Sequence, residues 1–212
     1  YQKENYLRPA IQGDLRGCFC LTEPQAGSDA ANLRTRIEPR GNGYVINGTK
    51  QFISSGATAD IALIFGVTNP EAGKKGITAA IALTSSSGYK VISREKKLGQ
   101  RASDTCQLSF DALEIPPEMI LGELGEGYRI ALGNLEGGRI GIAAQALGIA
   151  RAAFEAALDY AQERESMGRP IIQHQAVAFR LADMATKIEV ARQMIWHAAS
   201  LKDAGRPALK EA

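Results

Sequence analysis

Three short polar segments hold most of the side chains that can do chemistry. The first is LTEPQAGSD, Leu21 to Asp29. It sets Thr22, Glu23, Gln25, Ser28 and Asp29 around Pro24 and Gly27. A turn so dense in small donors can present hydroxyls and backbone N–H groups to a polar ligand. The second, FISSG (Phe52 to Gly56), joins one aromatic ring to two hydroxyls. The third, LGQRASDT (Leu98 to Thr105), puts Arg101 among small polar residues. Each is also compatible with an ordinary loop.

The remaining motifs point away from common chemistries. No G-x-x-x-x-G-K-[ST] occurs, and Gly73-Lys74-Lys75-Gly76 reads as a turn between strands. No G-x-S-x-G is present, which excludes an α/β-hydrolase elbow. Gly125 and Gly127 imitate half of a dinucleotide fingerprint but follow a loop rather than a strand. Only His174 and His197 are available, and Cys18, Cys20 and Cys106 are the only thiols. Cys18 and Cys20 fall on one strand face with no further ligand near, so they read as small buried hydrophobes and no metal site is expected. An odd, small cysteine count argues for a reducing compartment.

The elements that must carry these segments change character near residue 115. Before it come short apolar runs separated by polar or Gly-rich turns: Gly17–Thr22, Tyr44–Ser54, Ile61–Val67, Ile77–Leu83, Tyr89–Ser93 and Gln107–Leu113. Asn47-Gly48, inside the second run, predicts a hairpin turn. No helix alternates with these strands, so the spacing predicts an antiparallel barrel or sandwich rather than a parallel Rossmann sheet. After Pro116-Pro117 the pattern turns helical. One long helix is expected over Arg129–Met167, broken at Gly168–Pro170. A second is expected over Gln175–Leu201, with Val177, Leu181, Met184, Ile188, Ala191 and Ile195 at three- and four-residue steps on one apolar face. Trp196, Met184 and Met194 are expected in the core.

With 212 residues, 25 basic and 23 acidic, the net charge is +2. That balance does not call for nucleic acid or membrane as a partner. No uninterrupted apolar run reaches the roughly 18 residues of a membrane helix. The polar, amphipathic start and the unfinished LKEA end read as a piece of a larger protein.

Taken in order, CFCLTEPQAGSD, INGTKQFISSG, KLGQRASDT, LGELGEGYRIALGNLEGGRIGIAAQALGIA and YAQERESMGRPIIQHQAVAFRLADMA resemble the acyl-CoA dehydrogenase family, most closely its short-chain branch. The resemblance implies an α+β fold. Residues 1–14 would end an N-terminal helical domain, 15–118 would form a middle β domain, and 119–212 would begin a four-helix bundle with two long antiparallel helices. It implies FAD as cofactor and α,β-dehydrogenation of an acyl-CoA thioester, with hydride passing to the flavin N5. By position it assigns Phe19, Leu21, Thr22, Ser28, Phe52, Ile53 and Ser54 to the flavin. Arg164, Ser166, Met167 and Gln175 would be contacts made to the FAD of a neighbouring subunit. Ser28, Glu136, Gly137, Gly138 and Arg139 are assigned to acyl-CoA.

Relatives often carry Trp at Phe52 and Thr at Ser54. Some branches place the catalytic base at the position of Gly138, which has no side chain here. Glu136 would point about 200° away on a regular helix. The resemblance therefore places the base, a Glu, outside these residues, leaving no catalytic residue among them. It also implies a homo-oligomer, a dimer of dimers. An electron-transfer flavoprotein would be the acceptor, in a bacterial cytoplasm or the mitochondrial matrix. An acyl-CoA oxidase of the same fold and a non-catalytic binding module are the alternatives.

Overall fold

The computed structural model describes residues 1–212, which form two compact units, Tyr1–Leu132 and Gly133–Ala212. The first unit opens with a π-helical turn, Lys3–Leu7, continuing into α1, Arg8–Gln12. Gly13, at φ +85°, stops the helix with a left-handed residue. Eight strands follow: β1 Gly17–Cys20, β2 Arg36–Arg40, β3 Gly43–Ser54, β4 Ile61–Val67, β5 Ile77–Leu83, β6 Tyr89–Arg94, β7 Thr105–Ile115 and β8 Ile120–Leu121. They form one sheet in the order β6-β7-β3-β2-β4-β5-β8, with β1 beside β4.

The expected strands appear, but the sheet is neither purely antiparallel nor a closed barrel. β1 runs parallel to β4, from Gly17↔Ile61 to Cys20↔Ile64, and β2 meets β4 in parallel at Arg36↔Val67. Parallel neighbours require a long crossover. The chain supplies one in the segment from Leu21 to Thr35 and the β2–β3 hairpin that follow β1.

Asn47-Gly48 is not a turn. β3 runs straight through it, and the turn of the β2–β3 hairpin lies at Gly41-Asn42. The pairing of β3 with β7 shifts register between Ile46 and Gly48, and the Asn47 amide oxygen accepts from the Ala112 N–H at 2.8 Å. The dipeptide thus serves a bulge. A Cβ on Gly48 would lie 2.7 Å from Thr35 Cα. Gly48→Val should therefore lower unfolding stability by about 1–3 kcal/mol, read as a lower urea midpoint at constant slope. An unchanged midpoint would refute the close approach.

β4 and β5 read as continuous apolar runs because both faces of the sheet are covered there. On one face Ile64 joins Cys18, Cys20, Ile37, Ile46, Ile53, Leu108 and Leu113 in a buried cluster. On the other, Phe65 packs with Leu21, Ala26, Ala30 and Leu33 from the crossover, with Ile77 and Ala79, and with Ala131. Ala131 lies in the first turns of α2, Gly127–Glu163. Gly127 opens that helix against the β5 backbone, where a Cβ would sit 2.8 Å from Thr78 Cα, and the Gly125 N–H donates to Thr78 Oγ1 at 3.0 Å. These glycines serve close packing, not a nucleotide loop.

The second unit holds the rest of α2, a short hairpin of β9 Glu165–Ser166 and β10 Arg169–Pro170, and α3, Gln175–Asp203. α2 and α3 flank an apolar groove lined by Ile140, Ala143 and Leu147 on one side and Ile188, Ala191 and Ile195 on the other. Trp196 is 60% exposed, and Met184 and Met194 are exposed too, contrary to their expected place in the core. The groove face is set by Ile188, Ala191 and Ile195, and Trp196 lies about 100° past Ile195 on the helix. Along α3, Lys187 pairs with Asp183 at 2.6 Å and Arg192 pairs with Glu189, as expected for a solvated face. By length and composition α2 is long and apolar enough to cross a membrane, although no single uninterrupted run is. Its first turns instead bury Ala131 against the sheet.

Candidate functional site

The LTEPQAGSD loop leaves the end of β1 and doubles back at once. The Glu23 N–H donates to the Ala26 carbonyl at 2.9 Å and the Ala26 N–H returns to Glu23 at 3.1 Å. Leu21, Ala26 and Ala30 are buried beneath the loop, while Ser28 is exposed and Thr22 half-buried. The loop is therefore nailed to the sheet on its apolar side and open on its polar side.

What fixes it is a pair of charges. Lys50, on β3, and Glu23 form an ion pair at 2.8 Å whose side chains are fully buried. Lys50 Nζ also donates to the Leu21 carbonyl at 3.0 Å. The Glu23 carboxylate further accepts from the Arg34 N–H at 2.6 Å, the Thr35 N–H at 3.0 Å and the Gln25 amide at 2.8 Å. Burial alone would push the Glu23 carboxyl up, but the Lys50 ammonium and these donors hold it down at about 2. Burial pushes Lys50 below the ordinary lysine value, against the pull of Glu23. With its oxygens engaged in this way, Glu23 is a structural anion, not a proton acceptor for a ligand. Residue types and spacing alone gave no sign of this pair, because Glu23 and Lys50 each sit among polar neighbours and look like surface charges.

The same strand brings the second segment to the loop. The Gln51 N–H donates to the Thr22 carbonyl at 2.9 Å. The β3–β7 register shifts again between Lys50 and Ile53. Within that shift Phe52 has φ +57° and is 61% exposed, while Ile53 beside it is buried. A bulky residue in the left-handed region costs on the order of 1–3 kcal/mol, and such strain concentrates at functional sites. The Gln51–Thr22 bond thus sets the loop beside the strained Phe52 turn, with Ser54 exposed two residues on, and under the loop Phe19 of β1 packs on Phe65 with ring centroids 4.8 Å apart.

The cysteines stay outside this chemistry. Cys18 and Cys20 are buried with sulfurs 3.6 Å apart, and all three thiols are free. Burial pushes Cys20 well up and Cys106 up to about 11, whereas the bond from Cys20 lowers Cys18. No group of three or more His, Cys, Asp or Glu side chains is placed to hold a metal.

In the second unit Glu136 and Gly137 are half-buried on α2, and Gly138 and Arg139 are exposed. A Cβ on Gly138 would meet nothing, whereas one on Gly137 would lie 3.2 Å from Lys202 Cε. The β9–β10 hairpin turns at Met167 (φ +53°) and Gly168 (φ +74°), the two positive φ values that a two-residue hairpin favours. The His174 ring lies 3.0 Å from the Ser166 carbonyl and 3.2 Å from Arg169 Nη2, bracing the turn. Met167 is 92% exposed at its tip, and Arg164, Ser166 and Gln175 are exposed around it.

Residues 18–113 match the acyl-CoA dehydrogenase middle domain, and residues 125–212 match the acyl-CoA dehydrogenase C-terminal domain. The chain belongs to the acyl-CoA dehydrogenase family. An acyl-CoA dehydrogenase of Bacillus subtilis (strain 168) is 48% identical over 211 residues, covering 100% of this chain and 56% of that protein. The butyryl-CoA dehydrogenase of Megasphaera elsdenii superposes with a TM-score of 0.96 at 42% identity, over 99% of this chain and 55% of that one. A chain from a structure of the electron transferring flavoprotein of Acidaminococcus fermentans, described as a step towards a mechanism of flavin-based electron bifurcation, matches with a TM-score of 0.95. Its identity is 46%, over 99% of this chain and 55% of that one. The chain thus spans about half the length of the relatives it matches. The two matched domains of the acyl-CoA dehydrogenase family meet between residues 113 and 125, where the strand pattern gives way to helix.

Proposed function

We propose that this chain contributes the flavin-facing middle domain and part of the acyl-CoA surface of an FAD-dependent acyl-CoA dehydrogenase acting on short acyl thioesters. The observation that carries the reading is Phe52. It is an aromatic held at positive φ and left exposed beside the Thr22 loop. A flat apolar wall flanked by hydroxyls suits one face of a flavin ring and its polar edge. Thr22 and Ser54 would supply hydrogen bonds and Phe52 the wall, with Phe19 and Leu21 from the cluster under the loop and Ile53, buried on the opposite face, anchoring the strand beside Phe52. Ser28, Glu136, Gly137, Gly138 and Arg139 would meet the acyl-CoA. Arg164, Ser166, Met167 and Gln175, exposed around a braced hairpin, would reach the cofactor of a second subunit in a homo-oligomer, a dimer of dimers.

FAD, when bound, would supply the acceptor for the hydride that leaves the β carbon. This chain's own residues bind, orient and exclude water. The α proton would go to a carboxylate; Gly138 has no side chain to receive it and Glu23 is committed to Lys50, which supports a base outside these residues. Electrons would leave to an electron-transfer flavoprotein in a bacterial cytoplasm or the mitochondrial matrix.

The test is FAD titration of the purified chain, followed by flavin fluorescence. Saturable binding is expected, weakened roughly 5- to 100-fold in Thr22→Val. A methyl in place of the hydroxyl leaves a polar partner unpaired, at about 1–3 kcal/mol. Equal affinity in the two proteins would remove Thr22 from the flavin contacts.

A further inference from the structure

The Leu98–Thr105 segment sends one side chain to the Phe52 turn. Phe52 and Ser55 have φ +57° and +60°, two non-glycine residues in the left-handed region three positions apart. Such a backbone persists only where its neighbours over-determine it. Ile53 and Ser54 pair with Cys106 and Thr105 of β7, and the Ser55 N–H donates to the Asp104 carbonyl at 3.0 Å. The Asp104 carboxylate then accepts three bonds. The Ala57 N–H reaches Oδ2 at 2.9 Å, the Thr58 hydroxyl reaches Oδ1 at 2.9 Å, and the Cys106 thiol reaches Oδ2 at 3.3 Å. Burial would raise this carboxyl, but the bonds from Ala57, Thr58 and Cys106 hold it below the usual aspartate value. From the other side the Tyr89 hydroxyl donates to the Gly56 carbonyl at 2.6 Å. Gly56 is pressed so close to β7 that a Cβ would lie 2.9 Å from Cys106 Cβ.

We infer that Asp104 is a positioning residue, whose carboxylate locks the Ser55–Thr58 turn onto β7 and thereby holds Phe52 in its strained, exposed conformation. What Phe52 then faces rests on the flavin reading; the clamp itself does not.

Amide hydrogen exchange on the whole chain separates the two. In Asp104→Ala the amides of Ser55, Ala57, Thr58 and Ala59 should exchange about 10- to 100-fold faster, while those of β4 and β5 keep their wild-type rates. Asp104→Asn keeps the shape and one oxygen, and should fall between. Unchanged exchange at 55–59 in both variants, or equal acceleration across the sheet, overturns the clamp. In parallel, FAD titration should show Asp104→Ala and Phe52→Ala each weaker by about 10-fold, and the double variant no weaker than Phe52→Ala alone. Wild-type affinity in Asp104→Ala beside a loss in Phe52→Ala overturns the positioning role. Wild-type affinity in Phe52→Ala sinks the flavin reading alone, and the clamp then stands or falls on the exchange result.

Discussion

Glu23→Ala is expected to destabilise the sheet unit by about 3–5 kcal/mol, because it strands a buried ammonium. Lys50 keeps only the Leu21 carbonyl once the carboxylate is gone. Against a typical domain stability of about 5–15 kcal/mol that is a large fraction. Lys50→Met should cost less, since the Arg34 and Thr35 N–H groups and the Gln25 amide still hold Glu23. Glu23→Ala with Lys50→Met removes both charges at once and should lose clearly less than the sum of the two single losses, so the two sites couple strongly. Urea unfolding of the four proteins, at constant slope, measures this. Additive losses would mean that the pair is not a unit.

The same pair sets an acid limit. The Glu23 carboxyl is held at about 2 in the fold and returns to an ordinary glutamate value when unfolded. A depressed carboxylate stabilises the fold above its unfolded pKa, and that contribution is lost as pH falls towards its folded one. Wild-type melting temperature should thus drop between about pH 5 and pH 2 more steeply than in the double variant. Parallel curves would contradict the assignment.

The second large effect concerns turnover. At saturating FAD, the chain is expected not to bleach its flavin rapidly when butyryl-CoA is added without oxygen. Loss of a positioned base removes typically 10²–10⁴-fold from such a step. Gly138 cannot act as one, and Glu23 is protonated only near pH 2 and is closed off by Lys50. Rapid bleaching would refute the absent base and leave Glu136, half-buried on α2, as the carboxylate to mutate first.

How the hidden charges arise bears on what can be read from sequence. Glu23 and Lys50 lie 27 positions apart, and each looks like a surface residue in its own segment. Only the pairing of β1 beside β4, with β3 close by, brings them together under the loop. β2 was equally silent: RIEPR shows one inward apolar residue, Ile37, and a proline, yet it pairs with β3 throughout. Pro39 is tolerated because the other edge of β2 touches β4 only at Arg36.

By itself the sequence determined the elements whose signal is local. β4 and β5 are continuous apolar runs between turn residues, and they occupy Ile61–Val67 and Ile77–Leu83 as expected. The break between the long helices was legible at Gly168 and Pro170, although α2 already ends at Glu163, short of the expected Met167, because a hairpin takes up Glu165–Pro170; five motifs in order carried the family. Tertiary structure decided the rest. Asn47-Gly48 has every local mark of a hairpin turn, but β7 pairs along both sides of it and Thr35 occupies the space a side chain would need, so the strand continues. Trp196 sits at helical spacing with core residues, yet a shift of about 100° from Ile195 leaves it exposed. Periodicity and turn propensity depend on a few neighbouring residues and are written in them. Register, parallel pairing and the neutralisation of a buried charge depend on which distant segments meet, and that is settled only when the whole sheet packs.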